Sequence, residues 1–266
     1  MGPADGSAKP SELIYGTQAV REALRSRARP LLRLMIAGHD SRFSDVIELA
    51  RRLQVPLHVE PREALDRMVP GGRHQGIIAF IAAKSYAETE EVLEAARDRG
   101  ESPLVVILDG VEDPQNLGAI VRTADAAGVH GIFIPERRAV GLTAAVAKAS
   151  AGALEHLRIG RVTNVSRLIE MLQKEGLWVY GFDPAAAKTY LDLDFSGPVA
   201  VVLGGESKGV RHGVLDRCDD RACIPMRGRI ASLNVSAAAA VVLFEAVRQR
   251  TRQISGSGSS RPESQP

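Results

Sequence analysis

Cysteine is nearly absent from this chain. Its 266 residues include two, Cys218 and Cys223, and no second pair exists to complete a four-ligand zinc site. The six histidines are scattered and none falls in an H-E-x-x-H pair, so no structural or catalytic metal is expected. No apolar run approaches the ~20 residues that cross a bilayer. The opening stretch MGPADGSAKPSELIYG lacks the basic-then-apolar order of a secretory leader. A cytoplasmic protein without a membrane anchor is the simplest expectation. Two nucleotide signatures are missing as well. No G-x-G-x-x-G occurs, which sets aside a nucleotide-dependent dehydrogenase. In VAVVLGGESKGV, Lys208 precedes Gly209, so the phosphate-loop order fails.

What is present describes an ordinary globular chain, 45% apolar and 25% charged, long enough for one or two domains. The net charge of +2 conceals an uneven distribution: residues 1–84 hold 13 Lys/Arg against 9 Asp/Glu, and residues 85–101 hold 2 against 6. Arg21, Arg25, Arg27, Arg29 and Arg33 crowd one short stretch. Such a cluster can neutralise phosphates, and it can equally be a solvated helix face.

Residues 1–11 and 252–266 are rich in Ser, Gly and Pro and read as disordered tails. Residues 12–84 alternate helix and strand signals: TQAVREALRS and FSDVIELARRL are helical by spacing, whereas LLRLMIA, PLHV and HQGIIAFIA read as strands. They form a small α/β domain. Residues 85–101 read as an acidic helical linker. From 102 to 251 the alternation resumes, and LVVILDG, GIFIP and VAVVLGG are continuous apolar runs, as expected of strands buried on both faces of a parallel sheet.

Three segments there can carry chemistry. In LDGVEDPQNLGAIVRTA, Asp113–Pro114 is a helix-start signal. Asn116 and Arg122 follow, roughly 120° apart around the helix and about 9 Å along it. Arg122 either serves a ligand or pairs with Asp125. In VAVVLGGESKGV a buried strand ends at Gly204, Gly205 and Glu206, the edge where open α/β sheets bind ligands; a plain strand-to-helix turn is the alternative. In CIPMRGRIASLNVSAAAAVVLFE, a glycine-containing loop leads to a long helix. Ser232, Asn234 and Ser236 together exceed what one helix cap needs.

DPQNLGAIVRTA, VVLGGESKGV and IPMRGRIASLNVSAAAAVVLFE, in this order and after IYGTQAVREAL…HQGI, closely resemble the SPOUT-class ribose methyltransferases of the TrmH/RlmB branch, over residues 12–250. The pair Gly205–Glu206 departs from the commoner Asn-Glu or Ala-Glu. The resemblance implies a C-terminal α/β knot domain, threaded as a deep trefoil, and a small N-terminal ribosomal-protein-like RNA-binding domain. It implies S-adenosylmethionine held at Gly204, Ile224, Met226 and Leu233. It also implies a homodimer, and a ribose 2′-hydroxyl acceptor in RNA. A guanosine of 23S ribosomal RNA comes first; transfer RNA and antibiotic-resistance methylation are the alternatives. Asn116, Arg122, Glu206, Ser232 and Asn234 match the family's functional positions, and Arg25, Arg27, Arg29 and Arg33 become candidates for RNA phosphates. Arg122 is either the base or, as preferred here, a stabiliser of phosphate and developing alkoxide, because a guanidinium is a poor base. A non-catalytic RNA-binding or ribosome-assembly factor is the reading of a different class.

Overall fold

A computed structural model describes residues 11–38, 41–206 and 208–257. The chain opens with β1 (Ser11–Tyr15), α1 (Thr17–Ser26), β2 (Leu31–Ala37), α2 (Ser44–Arg52), β3 (Leu57–Glu60), α3 (Arg62–Met68) and β4 (Ile77–Ala82). These strands form one sheet in the order β1-β4-β2-β3, antiparallel except for the β2–β3 pair. α1 forms because Ala19, Val20, Ala23 and Leu24 recur on one face and are buried together, with Arg25 near its end favouring the helix dipole.

The chain continues with α4 (Thr89–Arg99), β5 (Leu104–Asp109), α5 (Pro114–Ala126), β6 (Gly131–Pro135), α6 (Ala144–Ala149), β7 (Arg158–Val162), α7 (Val165–Lys174) and β8 (Trp178–Phe182). It ends with β9 (Lys188–Thr189), β10 (Val199–Gly204), α8 (His212–Leu215), β11 (Asp220–Cys223) and α9 (Val235–Ser257). Seven of these strands form a wholly parallel sheet in the order β7-β6-β5-β10-β8-β11-β9. β5 and β10 lie side by side, with Gly204 opposite Asp109, so their carboxyl ends share one edge. Every residue of β5 is buried, and Val105, Ile107, Ala200 and Val202 pack in one cluster with Leu168, Ile169 and Leu172 of α7. Each of these valine, leucine and isoleucine side chains contributes ~1.5–3 kcal/mol of burial, and the smaller Ala200 less.

Contacts divide the protein into two compact units. One lies within Met1–Ser85, Leu117–Arg122 and Val140–His156; the other lies within Tyr86–Asn116, Thr123–Ala139 and Leu157–Pro266. The boundary therefore does not follow one cut of the chain. Within the first unit, Arg29 is 8% exposed and Glu155 is 7% exposed. Arg29 Nε donates to Glu155 at 2.9 Å, Nη2 donates to the other carboxylate oxygen at 2.5 Å, and Nη1 donates to Glu12 at 2.7 Å. The expectation that Arg29 binds RNA is corrected here. Its guanidinium is buried and spent on two carboxylates.

Two further expectations change. Residues 85–101 are not a loose linker: α4 carries a capping box between Glu88 and Glu91 and buries Val92, Leu93, Ala95 and Ala96. Val92 and Leu93 join the core of the parallel-sheet unit. The acidic residues that made the stretch look solvated line only its outer face. The expected tails are also shorter. Ser11 pairs with Ala82 in β1, and α9 runs on to Ser257, because residues 251–255 hold neither glycine nor proline to stop it. Residues 1–10 and 258–266 lie outside the described residues.

Candidate active site

The site is built where β10, β11 and α9 meet. Past the end of β10 the chain turns through Gly204 and Gly205. A Cβ on Gly204 would overlap the backbone of Gly209 and Val210, and one on Gly205 would overlap the Gly110 carbonyl. Only hydrogen fits at either position, which lets the chain fold back on itself and pair Gly205 with Gly209.

α9 begins at Val235, and Asn234 is its cap. Asn234 Oδ1 accepts from the Ser236 amide at 2.9 Å and from Ser236 Oγ at 2.6 Å. That duty fixes the rest of the amide. The oxygen faces the helix, so Nδ2 faces the other way, where it donates to Asn116 Oδ1 at 3.0 Å and to Glu206 Oε1 at 3.0 Å. Asn116 is oriented in turn: its Oδ1 receives Asn234, so its Nδ2 donates to Glu206 Oε1. Three side chains drawn from positions 90 and 118 residues apart thus close into one ring. Glu206 Oε1 collects two donors, and Oε2 has no hydrogen bond among the described residues.

The adjoining cleft is lined by Gly204, Gly205, Glu206 and Leu203 on one side, by Ile224, Met226, Ser232 and Leu233 on another, and by Cys223, Asp183 and Ala238. All four expected donor-binding residues, together with Glu206 and Ser232, therefore face one cavity. Asn116 and Asn234 stand against it through Glu206. Residues 224–233 form neither helix nor strand, and among the described residues none of their amides donates to a protein carbonyl. Leu233, an apolar wall of the cleft, is 39% exposed. Open backbone amides, apolar walls and a carboxylate at one end suit a flat heterocycle joined to a cationic centre. S-adenosylmethionine has that make-up, so the residues present fit it.

Arg122 lies six residues beyond Asn116 on α5. It is exposed, is not among the residues lining the cleft, and makes no hydrogen bond or ion pair among the described residues. The alternative pairing with Asp125 does not form. In the first unit, Arg25 and Arg27 are exposed and make no ion pair among the described residues, and Arg33 stacks 3.9 Å from the Phe80 ring centre. Sequence reasoning missed the clasp behind the site. Asp109, 3% exposed at the end of β5, accepts from the Arg211 amide at 2.9 Å and pairs with its Nη2 at 2.7 Å. The carboxylate raises the Arg211 pKa further above its ordinary value. An aspartate closing an all-apolar strand, as in VVILD, was the available signal.

A wholly parallel sheet with a cleft at the carboxyl ends of its central strands, bordered by a carboxylate–amide ring, places the protein among the α/β folds that bind a ligand at that edge. Comparison with known proteins identifies its family. Residues 103–244 match the SpoU rRNA Methylase family and residues 13–87 match the RNA 2′-O ribose methyltransferase substrate binding family. The Bacillus subtilis protein YacO, named for the TrmH family of tRNA/rRNA methyltransferases, is 44% identical over 241 residues, covering 90% of this chain and 96% of its own. The 23S rRNA (guanosine-2′-O-)-methyltransferase RlmB of Pseudomonas aeruginosa is 42% identical over 243 residues, covering 90% and 97%. The SpoU methyltransferase AviRb from Streptomyces viridochromogenes, solved with AdoMet, superposes with a TM-score of 0.79 at 25% identity over 91% of each chain. The chain belongs to the SpoU rRNA methylase family. It is an S-adenosylmethionine-dependent RNA 2′-O-ribose methyltransferase.

Proposed function

We infer that this enzyme methylates a ribose 2′-hydroxyl of 23S ribosomal RNA, on a guanosine. The likeness to RlmB across nine-tenths of the chain, amino-terminal module included, supports that substrate. The observation that carries the catalytic reading is the ring of Asn116, Glu206 and Asn234 beside the glycine turn. A non-catalytic RNA-binding factor would have no use for a carboxylate held by two oriented amides at the mouth of an open cleft.

In this reading the backbone of Gly204, Ile224 and Leu233 holds S-adenosylmethionine, with Met226 against it. Bound there, it supplies a methyl group on a cationic sulfonium. The protein's part is to set the 2′-oxygen in line with that methyl, and alignment of this kind is worth ~7–11 kcal/mol of barrier. The Asn116–Glu206–Asn234 ring fixes the start of α9 and the turn after β10 relative to each other, so the cleft is organised before the substrate arrives. Ser232, exposed at the same rim, offers a hydroxyl to the RNA. Arg122, exposed and uncommitted, is offered to the RNA phosphate and the developing alkoxide; the 2′-hydroxyl proton passes to solvent as the methyl moves, and S-adenosylhomocysteine is the leaving group. Arg25, Arg27 and Arg33 extend the RNA surface on the amino-terminal module, without Arg29.

We further infer a homodimer acting in the cytoplasm. Phe244 on α9 is 50% exposed and Leu191 is 58% exposed, which supports an unfilled apolar contact. Sedimentation should give twice the monomer mass. Tritiated methyl transfer to ribosomal RNA from a strain lacking this protein, followed by nucleoside mapping, tests the activity. One labelled 2′-O-methylguanosine in 23S RNA is expected. Label in transfer RNA alone overturns the substrate, and no label in either, with the donor bound, favours the assembly-factor reading.

A further inference from the structure

A second groove lies at the same edge of the parallel sheet, beyond the ends of β5, β6 and β10. Arg137, Arg138, Lys208 and Arg211 line it, against the carboxylates of Asp109 and Glu112. Asp109 is spent on Arg211. Arg137, Arg138 and Lys208 are exposed and make no ion pair among the described residues. The groove and the donor cleft share Gly205 and Gly209 as a common border with no side chain on it. Arg138 also sits at φ 60°, a left-handed conformation that costs a non-glycine residue ~1–3 kcal/mol and persists only where the surroundings enforce it.

We propose that this groove binds the phosphodiester beside the acceptor ribose, with Arg137, Arg138 and Lys208 as the neutralising cations. The proposal rests on the methyltransferase reading. A 2′-oxygen is attached to the carbon next to the one carrying the 3′-phosphate. When that oxygen enters the cleft beside Glu206, its phosphate must lie within one sugar of it. Across the bare Gly205–Gly209 border, the neighbouring surface is this groove, where, among the described residues, the unpaired Arg137, Arg138 and Lys208 outnumber the one unpaired carboxylate, Glu112, and leave a net positive charge. The Asp109–Arg211 clasp closes the floor of the groove and leaves Arg137, Arg138 and Lys208 as the cations without a carboxylate partner among the described residues. Arg137, Arg138 and Lys208 are thus positioning residues for the reacting sugar.

The test uses the full-length protein and a 23S RNA fragment. RNA affinity, measured by anisotropy over a salt series, is compared for wild type, Arg137→Ala/Arg138→Ala and Lys208→Ala. Arg158→Ala, at the amino end of β7 on the opposite sheet edge, serves as the control. Removing two phosphate contacts should flatten the slope of log K against log salt by about 1.4, at ~0.7 per single-strand contact. Lys208→Ala should flatten it by about half that, and Arg158→Ala should leave it unchanged. In turnover, the KM for RNA should rise about tenfold in the double variant with kcat within twofold and donor affinity unchanged. Arg137→Lys/Arg138→Lys should recover most of the loss. Unchanged slope and KM overturn the proposal, and a matching loss of donor affinity assigns the groove to the donor instead. A wild type that binds RNA yet transfers no methyl sinks the proposed function, while the slope comparison still decides the groove.

Discussion

Asn234 has two duties, and one substitution separates them. Asp caps a helix as well as Asn does, so in Asn234→Asp one carboxylate oxygen still accepts from Ser236. The other then faces Glu206 Oε1 and Asn116 Oδ1 across the 3.0 Å that donated hydrogen bonds now span. Two unit charges at 3.0 Å repel by about 1.4 kcal/mol in a water-like medium and about 5.5 kcal/mol at an effective dielectric of 20. Both side chains are exposed, so solvent screening holds the cost to about 1.5–3 kcal/mol. At ~2–4 °C per kcal/mol, the melting temperature falls by roughly 3–12 °C near pH 7. The sign of the pH dependence follows from proton binding. The facing carboxylates retain a shared proton to higher pH in the folded chain than in the unfolded one, so the folded state binds more protons and gains stability as pH falls. The deficit relative to wild type should therefore be largest at pH 7–8 and shrink towards pH 5. Asn234→Ala loses the cap as well as the ring, and its deficit should not vary with pH. Melting temperatures of all three proteins across pH 5–8 check this. A pH-independent deficit in Asn234→Asp, or none at all, refutes the ring geometry.

Three other outcomes are expected. Arg29→Ala leaves Glu155 buried and unpaired, and denaturant titration should show about 3–5 kcal/mol of lost stability; the double change Arg29→Met/Glu155→Leu should restore most of it, with RNA affinity unaltered. Gly204→Ala places a Cβ into the Gly209–Val210 backbone, which must shift, at a cost of about 1–3 kcal/mol; calorimetry should find donor binding lost while the amino-terminal module still binds RNA. Cys223 lines the donor cleft, whereas burial pushes the Cys218 thiol up to about 12. Alkylation near pH 8 should therefore modify Cys223 and spare Cys218, and S-adenosylmethionine should slow it; modification of Cys223 at the same rate with saturating donor would refute its place in the cleft.

How much of this was legible beforehand follows from the range of each interaction. α1 and β5 announce themselves because their signal is a local period: Ala19, Val20, Ala23 and Leu24 on a helical stripe, and six apolar-to-acidic residues from Leu104 to Asp109. The short elements β1, α3 and α8 escaped, since five, seven and four residues hold too little pattern to rise above a loop. Residues 85–101 misled by composition. Their acidic outer face dominated the count, whereas four small or branched side chains decided the packing. The pairing of Arg29 with Glu155 spans 126 residues, and no periodicity reports a partner that distant.

The site divides along the same line. Gly204, Glu206 and Asn234 stood out as polar or glycine positions at the ends of apolar elements, and the resemblance already made Asn234 a site residue with capping as one part of its duty. What the sequence could not give is how one amide does both, which the structure shows as a constraint on that group. Capping α9 consumes Oδ1, and only then is Nδ2 obliged to point at Asn116 and Glu206. A serine or threonine in its place would cap the helix equally well with a single oxygen and leave the ring with no amide donor from α9. The helix terminus therefore does more than end a loop, because its cap also fixes which atom faces the carboxylate at the mouth of the donor cleft.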